Sequence, residues 1–250
     1  MSAKRSQVWT SGLSLWLFTG LCALHAIEPG DVIINEVYFD NYTKDRGTNH
    51  FEAVELLVVK DKINLNGLQI SDRDIWTVPS EFQCILQDAG QGFLQSVRSG
   101  TLLVIYDGAG DDDTDGEDFT ITLYARSSLF CNLAGRTNAF YLGNYGDNLH
   151  LMHNNKQVDF IKYRPNNRPE RGGDPGNLEW DKGFDGFIDV GLSGESTGFR
   201  FLGDKQELNA YPAAWQAYSE SYFKSNNLGK PNGGRNTVWI EKLRQQSSVK

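Results

Sequence analysis

Short runs of β-branched and aromatic residues, separated by clusters of Gly, Asn and Asp, follow one another along most of this chain. Such runs predict antiparallel strands joined by turns, because these side chains suit a pleated sheet and the intervening residues suit turns. Within residues 148–153, Leu149 and Leu151 fall on one strand face and His150 and Met152 on the other. We therefore predict an all-β fold, a sandwich whose strands bury one face. The predicted strands are residues 32–38, 53–59, 67–71, 101–106, 119–124, 148–153 and 157–163.

One sandwich domain accounts for nearly all of the 250 residues. Residues 164–198 carry Pro, Asn, Gly and scattered charges, which indicates a long loop with a short strand at residues 187–190. Residues 213–223 place alanines and aromatic residues at roughly helical intervals, which predicts one short helix near the C-terminus. Residues 233–250 are polar and basic, so we expect a fraying tail in which Trp239 and Leu243 could dock as a terminal turn.

The N-terminal segment is typical of a secretory signal peptide. Lys4 and Arg5 precede a mainly apolar stretch at residues 8–24, and the small Ala26 follows. We expect cleavage after Ala26, which leaves a signal peptide at residues 1–26, a domain at residues 27–232 and a tail at residues 233–250. An uncleaved membrane anchor is the alternative, although polar residues interrupt the apolar stretch. The prediction is a secreted, periplasmic or cell-surface protein with no membrane span in its mature chain.

Cys84 and Cys131 are the two cysteines that remain after the expected cleavage. An exported chain meets an oxidising compartment, so we predict a disulfide between them, with two buried free thiols as the alternative. Cys22 lies within the signal peptide, where the preceding Leu21 is larger than the residue a lipoprotein signal carries there.

The formal net charge of -8 narrows the choice of partner. Nucleic acid and anionic lipid are held mainly by Lys and Arg, so this composition disfavours both. Cations and neutral ligands, such as a glycan or a protein surface, fit better.

Several short motifs occur in the order and at the spacing of a known family. They are Ile-Asn-Glu-Val at residues 34–37, Glu-Ala-Val-Glu-Leu at 52–56, residues 63–72, Ser-Gly-Thr-Leu at 99–102, Gly-Asp-Asn-Leu at 146–149, Val158-Asp159, Arg200, Trp215 and Leu-Gly-Lys-Pro-Asn at 228–232. Together they resemble the lamin tail domain over residues 31–232. The resemblance implies an immunoglobulin-like β-sandwich.

The chain has an export signal and no coiled-coil rod, so it is more similar to stand-alone copies of the domain in exported bacterial proteins than to nuclear lamins. Those copies are regarded as adhesion or targeting modules. The family offers no catalytic residues, and fold alone does not establish function.

The sharpest local feature is an acidic segment, residues 107–118, between two predicted strands. Three aspartates at alternate positions followed by Gly116 match the D-x-D-x-D-G start of a calcium loop, in which oxygens converge on a hard cation. Thr122 stands where the usual bidentate Glu would be, and a strand follows, so this is not an EF-hand. We predict Ca2+ as the candidate cofactor, with a solvated acidic turn as the alternative. The candidate ligands are Asp107, Asp111, Asp113, Asp115 and Glu117.

The remaining motifs form no assembled catalytic site. Residues 194–198 match G-x-S-x-G, but that motif requires a downstream His and the last histidine is His153. His150 and His153 fall on opposite strand faces, and the acidic residues 179–186 match no metal spacing. We expect no enzyme but a binding or adhesion module that recognises a surface, matrix or protein ligand. The alternatives are a small secreted hydrolase whose carboxylates meet only in three dimensions, and a structural envelope protein.

If the acidic segment holds calcium, removal of the ion will leave crowded like charges between two strands. We expect EDTA to lower the melting temperature and added calcium to restore it, because a ligand bound only by the folded state stabilises that state. Differential scanning calorimetry with and without EDTA tests this. An unchanged transition, together with no heat on calcium titration, would contradict it.

Overall fold

The computed structural model describes residues 26–39, 52–72, 82–135, 139–140, 142, 147–165, 191–192, 197–218 and 227–248. Its strands are β1 (Val32–Tyr38), β2 (Ala53–Val58), β3 (Gln69–Asp72), β4 (Phe82–Leu86), β5 (Leu102–Tyr106), β6 (Thr120–Tyr124), β7 (Cys131–Asn132), β8 (Asp147–His153), β9 (Lys156–Pro165), β10 (Gly191–Leu192), β11 (Gly198–Phe201) and β12 (Trp215–Tyr218). One α-helix, α1 (Gly234–Ser248), closes the described part of the chain. Short 3-10 turns lie at Gly116–Asp118, Gln206–Ala210 and Pro212–Ala214.

The strands form two sheets. The first runs in the order β12-β11-β1-β2-β5-β6 and the second in the order β10-β9-β8-β3-β4-β7. Strands β5 and β6 pair in parallel, whereas β1 pairs in antiparallel with both of its neighbours. Side chains of both sheets join one apolar core, to which the first sheet contributes Ile33 and Val54 and the second Leu149 and Ile161. The predicted mostly-β architecture is confirmed, and the two packed sheets are consistent with a β-sandwich.

Each of the seven predicted strands overlaps a strand of the structure, and β1 has the predicted bounds. Strands β4, β7, β10, β11 and β12 were not predicted, because runs of two to five residues carry little local signal of their own. The strand predicted at residues 187–190 lies outside the described residues, as do residues 1–25 of the signal peptide predicted at residues 1–26.

A disulfide joins Cys84 of β4 to Cys131 of β7, as predicted. Strand β7 is one edge of the second sheet and pairs with β4 through only two residues, Asn132 and Cys131, so the covalent bond holds a short pairing next to its neighbour. Both half-cystines are buried.

The helix predicted at residues 213–223 is wrong. A 3-10 turn at Pro212–Ala214 leads into strand β12, which pairs in antiparallel with β11 from Tyr218↔Gly198 to Trp215↔Phe201. The helical spacing of the alanines was misleading, because pairing with β11 buries Trp215 and Tyr218 at the two ends of the strand. Tertiary packing here overrides local propensity. Residues 219–223 lie outside the described part.

The tail expected to fray is instead the helix α1, although Trp239 and Leu243 do dock as the alternative proposed. Trp239, Ile240 and Leu243 are buried in the main core, and the same stripe continues through buried Asn236 and Ser247. Because the buried residues at both ends of this stripe are polar, the hydropathy of the sequence shows too few apolar residues at helical spacing to predict a helix.

Helix α1 is seated on the turn that connects to β5. Ser99 Oγ donates to the Leu243 carbonyl at 3.1 Å, and Arg244 Nε donates to the Gly100 carbonyl at 3.0 Å. Gly100 has φ +82, and a Cβ there would lie 2.5 Å from Arg244 Cγ and 2.9 Å from the Arg244 backbone N. Glycine is needed at this turn both for its backbone conformation and for the approach of the helix.

We predict that Gly100→Ala weakens the seating of α1. Gly90 is the matched control, because it has the same φ of +82 but nothing within 4 Å of its added Cβ. Both variants introduce a strained backbone, and Gly100→Ala should cost about 1–3 kcal/mol of unfolding free energy beyond Gly90→Ala. Urea denaturation measures the difference. Equal losses in the two variants would show that the helix does not press on this turn.

Candidate functional site

Asp107, the first predicted calcium ligand, is buried and already has partners. Its Oδ2 lies 2.8 Å from Arg126 NH2 in an ion pair, and its Oδ1 accepts the Ala139 N–H at 2.8 Å. Arg126 thus neutralises the charge of this aspartate. Asp107 anchors the end of β5 to two other segments.

The other four predicted ligands, Asp111, Asp113, Asp115 and Glu117, are exposed. Two of them bond to their own segment: Asp113 Oδ1 accepts the Asp115 N–H at 3.1 Å, and Asp115 Oδ1 accepts the Glu117 N–H at 2.9 Å. Such short-range bonds are typical of turns and helix caps. Among the described residues, no group of three or more His, Cys, Asp or Glu side chains is arranged to hold a metal ion. Calcium binding by these residues stays a prediction.

The structure gathers a different set of polar residues in its interior. We call it the buried polar network, and its members come from β1, β2, β12, the segment before α1, and α1 itself. They are Asn35, Glu36, Glu55, Tyr218, Gly229, Asn232 and Asn236.

A bulge in β1 is the starting point of this network. The register between β1 and β2 shifts between Ile34 and Glu36, so Asn35 is an extra residue. Asn35 Nδ2 donates to Glu55 Oε1 at 2.6 Å, and its carbonyl accepts from Asn232 Nδ2 at 3.1 Å. A β-bulge re-aims side chains in this way. Asn35 therefore links its own sheet to the C-terminal segment.

Glu36 and Glu55 are partners in the β1–β2 register, and both are 0% exposed. Glu55 Oε2 accepts the Gly229 N–H at 2.6 Å, and Glu36 Oε1 accepts the Tyr218 hydroxyl at 2.7 Å. Burial raises the pKa of the Glu55 carboxyl well above its usual range, and the Glu36 charge raises it further. Burial and then Glu36 also raise the pKa of Tyr218.

This carboxylate pair is suited to holding segments together and not to hydrolysis. A glycosidase pair must be reached by substrate and water. Here both oxygens of Glu55 accept N–H donors and neither side chain reaches the surface.

The network also holds the N-terminal end of α1. Asn236 Oδ1 accepts the Asn232 N–H at 2.9 Å, and Asn236 Nδ2 donates to Asn35 Oδ1 at 3.1 Å. Asn232 Nδ2 additionally reaches the Phe201 carbonyl at 3.3 Å. The first turn of the helix is thereby bonded to β1, and Asn232, two residues before the helix, is bonded to β1 and β11.

Asp159 of β9 makes a second polar connection, this time between the two sheets. It is 4% exposed, and its Oδ2 accepts the Ile34 N–H at 2.7 Å and Asn209 Nδ2 at 2.6 Å. Ile34 directly precedes the bulge residue, and its N–H bonds to this carboxylate of the second sheet. Burial raises the pKa of Asp159 to about 7, while the bonds from Ile34, Phe160 and Asn209 oppose the rise.

Sequence reasoning did not assign these residues to a site. A signal was present, because Asn35, Glu36 and Glu55 interrupt the apolar runs VIINEVY and AVELLV. Every residue of these two strands is buried, so their polar members had to meet partners inside the protein.

The other predicted features contribute little to a site. His153 Nδ1 accepts the Ile27 N–H at 3.1 Å, and the His150 ring packs 4.5 Å from the Phe160 ring. Ser196 of the G-x-S-x-G match and the acidic residues 179–186 lie outside the described residues.

Comparison with known proteins gives no match: no family model, no curated protein and no solved structure matches the chain. In the described part of the chain, no helix has the length and apolar character needed to cross a membrane. The lamin-tail resemblance therefore depends on the motifs alone.

We predict that Asp159→Asn removes a pH dependence of stability. A carboxyl whose pKa rises from 3.8 unfolded to about 7 folded stabilises the fold fully below its unfolded pKa and progressively less as pH rises through the folded pKa. From about pH 4 to about pH 8 the wild-type protein should lose about 4 kcal/mol more unfolding free energy than the variant. Denaturant titrations at several pH values measure this. Parallel pH curves for the two proteins would contradict it, and similar stabilities at low pH would show that the amide itself is tolerated.

Proposed function

We propose that this chain is an exported, non-catalytic binding module built on an immunoglobulin-like sandwich of the lamin-tail type. The observation that carries the proposal is that residues from the separate lamin-tail-like motifs meet in the buried polar network and its neighbours. Asn35 and Glu55 belong to the first and second motifs, and Gly229 and Asn232 to the closing one.

The bonded residues are far apart in sequence, which makes their meeting in the folded chain informative. Glu55 bonds to Gly229 across 174 positions, and Ile34 bonds to Asp159 of the late-hairpin motif across 125 positions. Gly100, from the Ser-Gly-Thr motif, contacts α1 across 144 positions. Unrelated chance matches would have no reason to bond to one another. Their convergence supports the resemblance, and with it an adhesion or targeting role.

The start of the domain supports export with cleavage after Ala26. Ile27, the residue that would follow the cut, is 0% exposed and belongs to the main core. In the uncut chain its N–H donates to His153, through the nitrogen that cleavage would turn into the α-amino group, and the Glu28 N–H donates to Asp31 Oδ2 at 2.9 Å. The first residue of the proposed mature chain is thus part of the core.

The exposed acidic side chains of the described residues favour a cationic or neutral ligand. Asp107 and the acids of the buried polar network serve the scaffold, whereas Asp111, Asp113, Asp115 and Glu117 face solvent on one loop. A glycan or protein surface, with calcium as a bridging ion, fits this loop and the net charge of -8.

The experiment is a binding screen of the purified protein against a glycan array and a panel of matrix proteins, with and without calcium. We expect saturable binding that weakens at least about tenfold in Asp111→Asn/Asp115→Asn, because two exposed charges at the ligand surface are lost. The matched control is Asp204→Asn/Glu207→Gln, which removes two exposed acids elsewhere.

Three results would overturn the proposal. Turnover of chromogenic glycosides or esters without any binding would favour the hydrolase alternative. Self-assembly as the sole interaction would favour a structural envelope protein. Secretion of a chain whose first residue is not Ile27, read by intact mass, would refute the proposed cleavage.

A further inference from the structure

Strand β6 is the outermost strand of the first sheet on one side. It pairs with β5 in parallel, and the Leu102 N–H donates to the Phe119 carbonyl while the Ala125 N–H donates to the Tyr106 carbonyl. In a parallel pair, alternate residues face the partner. The N–H groups of Thr120, Thr122 and Tyr124 therefore point away from β5, towards the open side of the sheet.

The acidic segment, residues 107–118, accepts all three of these N–H groups. Thr120 N donates to Asp118 Oδ1, Thr122 N to the Asp113 carbonyl and Tyr124 N to Asp112 Oδ1, each at 2.8 Å. The Asp113 N–H returns a bond to the Thr122 carbonyl, also at 2.8 Å. Strand β6 thus has a hydrogen-bonded neighbour that is not a regular strand.

The segment makes further contacts with the rest of the protein at both of its ends. Ser127 Oγ donates to the Gly110 carbonyl at 2.7 Å, and Gly110 lies so near the Tyr124 ring that a Cβ there would be 2.7 Å from it. At the other end Arg98 NH2 donates to the carbonyls of Gly116 and Glu117.

Asp112, which is half-buried, and Asp118, which is exposed, each accept an N–H of β6, while Asp111, Asp113, Asp115 and Glu117 are exposed and bond to no residue of β6 through their side chains. An unprotected sheet edge is a template for pairing with another chain, and proteins block such edges with charged side chains or covering segments. This segment provides both, because its inward side occupies the N–H groups and its outward side is negatively charged.

We propose that residues 107–118 form a strap that closes the β6 edge against strand addition by a second copy of this chain. Asp112 and Asp118 are the two side chains that hold the strap to the strand. This role is independent of the proposed binding function, because it concerns different side chains of the same loop.

The test is Asp112→Ala/Asp118→Ala, with Asp111→Ala/Glu117→Ala as the control that removes the same charge from the exposed side. Amide exchange followed by NMR should be at least about tenfold faster at Thr120 and Tyr124 in the first variant, because each amide loses its acceptor. Sedimentation velocity should show concentration-dependent self-association of the first variant alone. A third variant, Asp112→Asn/Asp118→Asn, keeps the acceptor oxygens and should remain protected and monomeric.

Unchanged exchange at Thr120 and Tyr124 in the alanine variant would overturn the proposal. Faster exchange without association would also overturn it, because the edge would then be open yet inert. Equal association of both alanine variants would assign the effect to charge and not to the strap. If the double variant does not fold, Asp118→Ala alone is measured at Thr120 by the same criteria.

Discussion

The extra residue in β1 is the constraint on which the rest of the structure depends. Beside the bulge, the Ile34 N–H donates to Asp159 in the second sheet, and the Asn35 side-chain amide donates to Glu55 in the first. One local irregularity thereby relates both sheets and, through Asn232 and Asn236, the C-terminal helix.

Because these polar groups are buried, their hydrogen bonds favour one register of β1 in addition to holding the segments together. A buried polar group that loses its partner costs about 1–3 kcal/mol, so a shift of β1 by one residue would carry several such penalties at once. Apolar packing alone tolerates small shifts more easily. The polar contacts therefore favour one register among arrangements that the apolar core would accept.

Much of the β architecture could be predicted from the sequence, because the mainly apolar runs of β1 and β5, rich in β-branched residues and bounded by turn residues, carry a local signal. Strand β12 could not, since its conformation depends on pairing with β11 and not on its own residues. Helix α1 was missed because Asn236 and Ser247 occupy buried positions that hydropathy assigns to solvent. The same limit applies to the candidate site: Glu36 and Glu55 are separated in sequence, and only strand pairing makes them neighbours.

The parallel pairing of β5 and β6 limits the insertions and deletions that the connection between them can accept. After β5 the chain must travel back along the length of a strand before β6 can begin, so the return path has to run somewhere beside the sheet. Here it runs along the outer side of β6 itself, and the connection doubles as the cover. The number of residues in this connection is then matched to the length of the strand. Insertions or deletions between Asp112 and Asp118 would displace one acceptor from its N–H even where they left every strand intact.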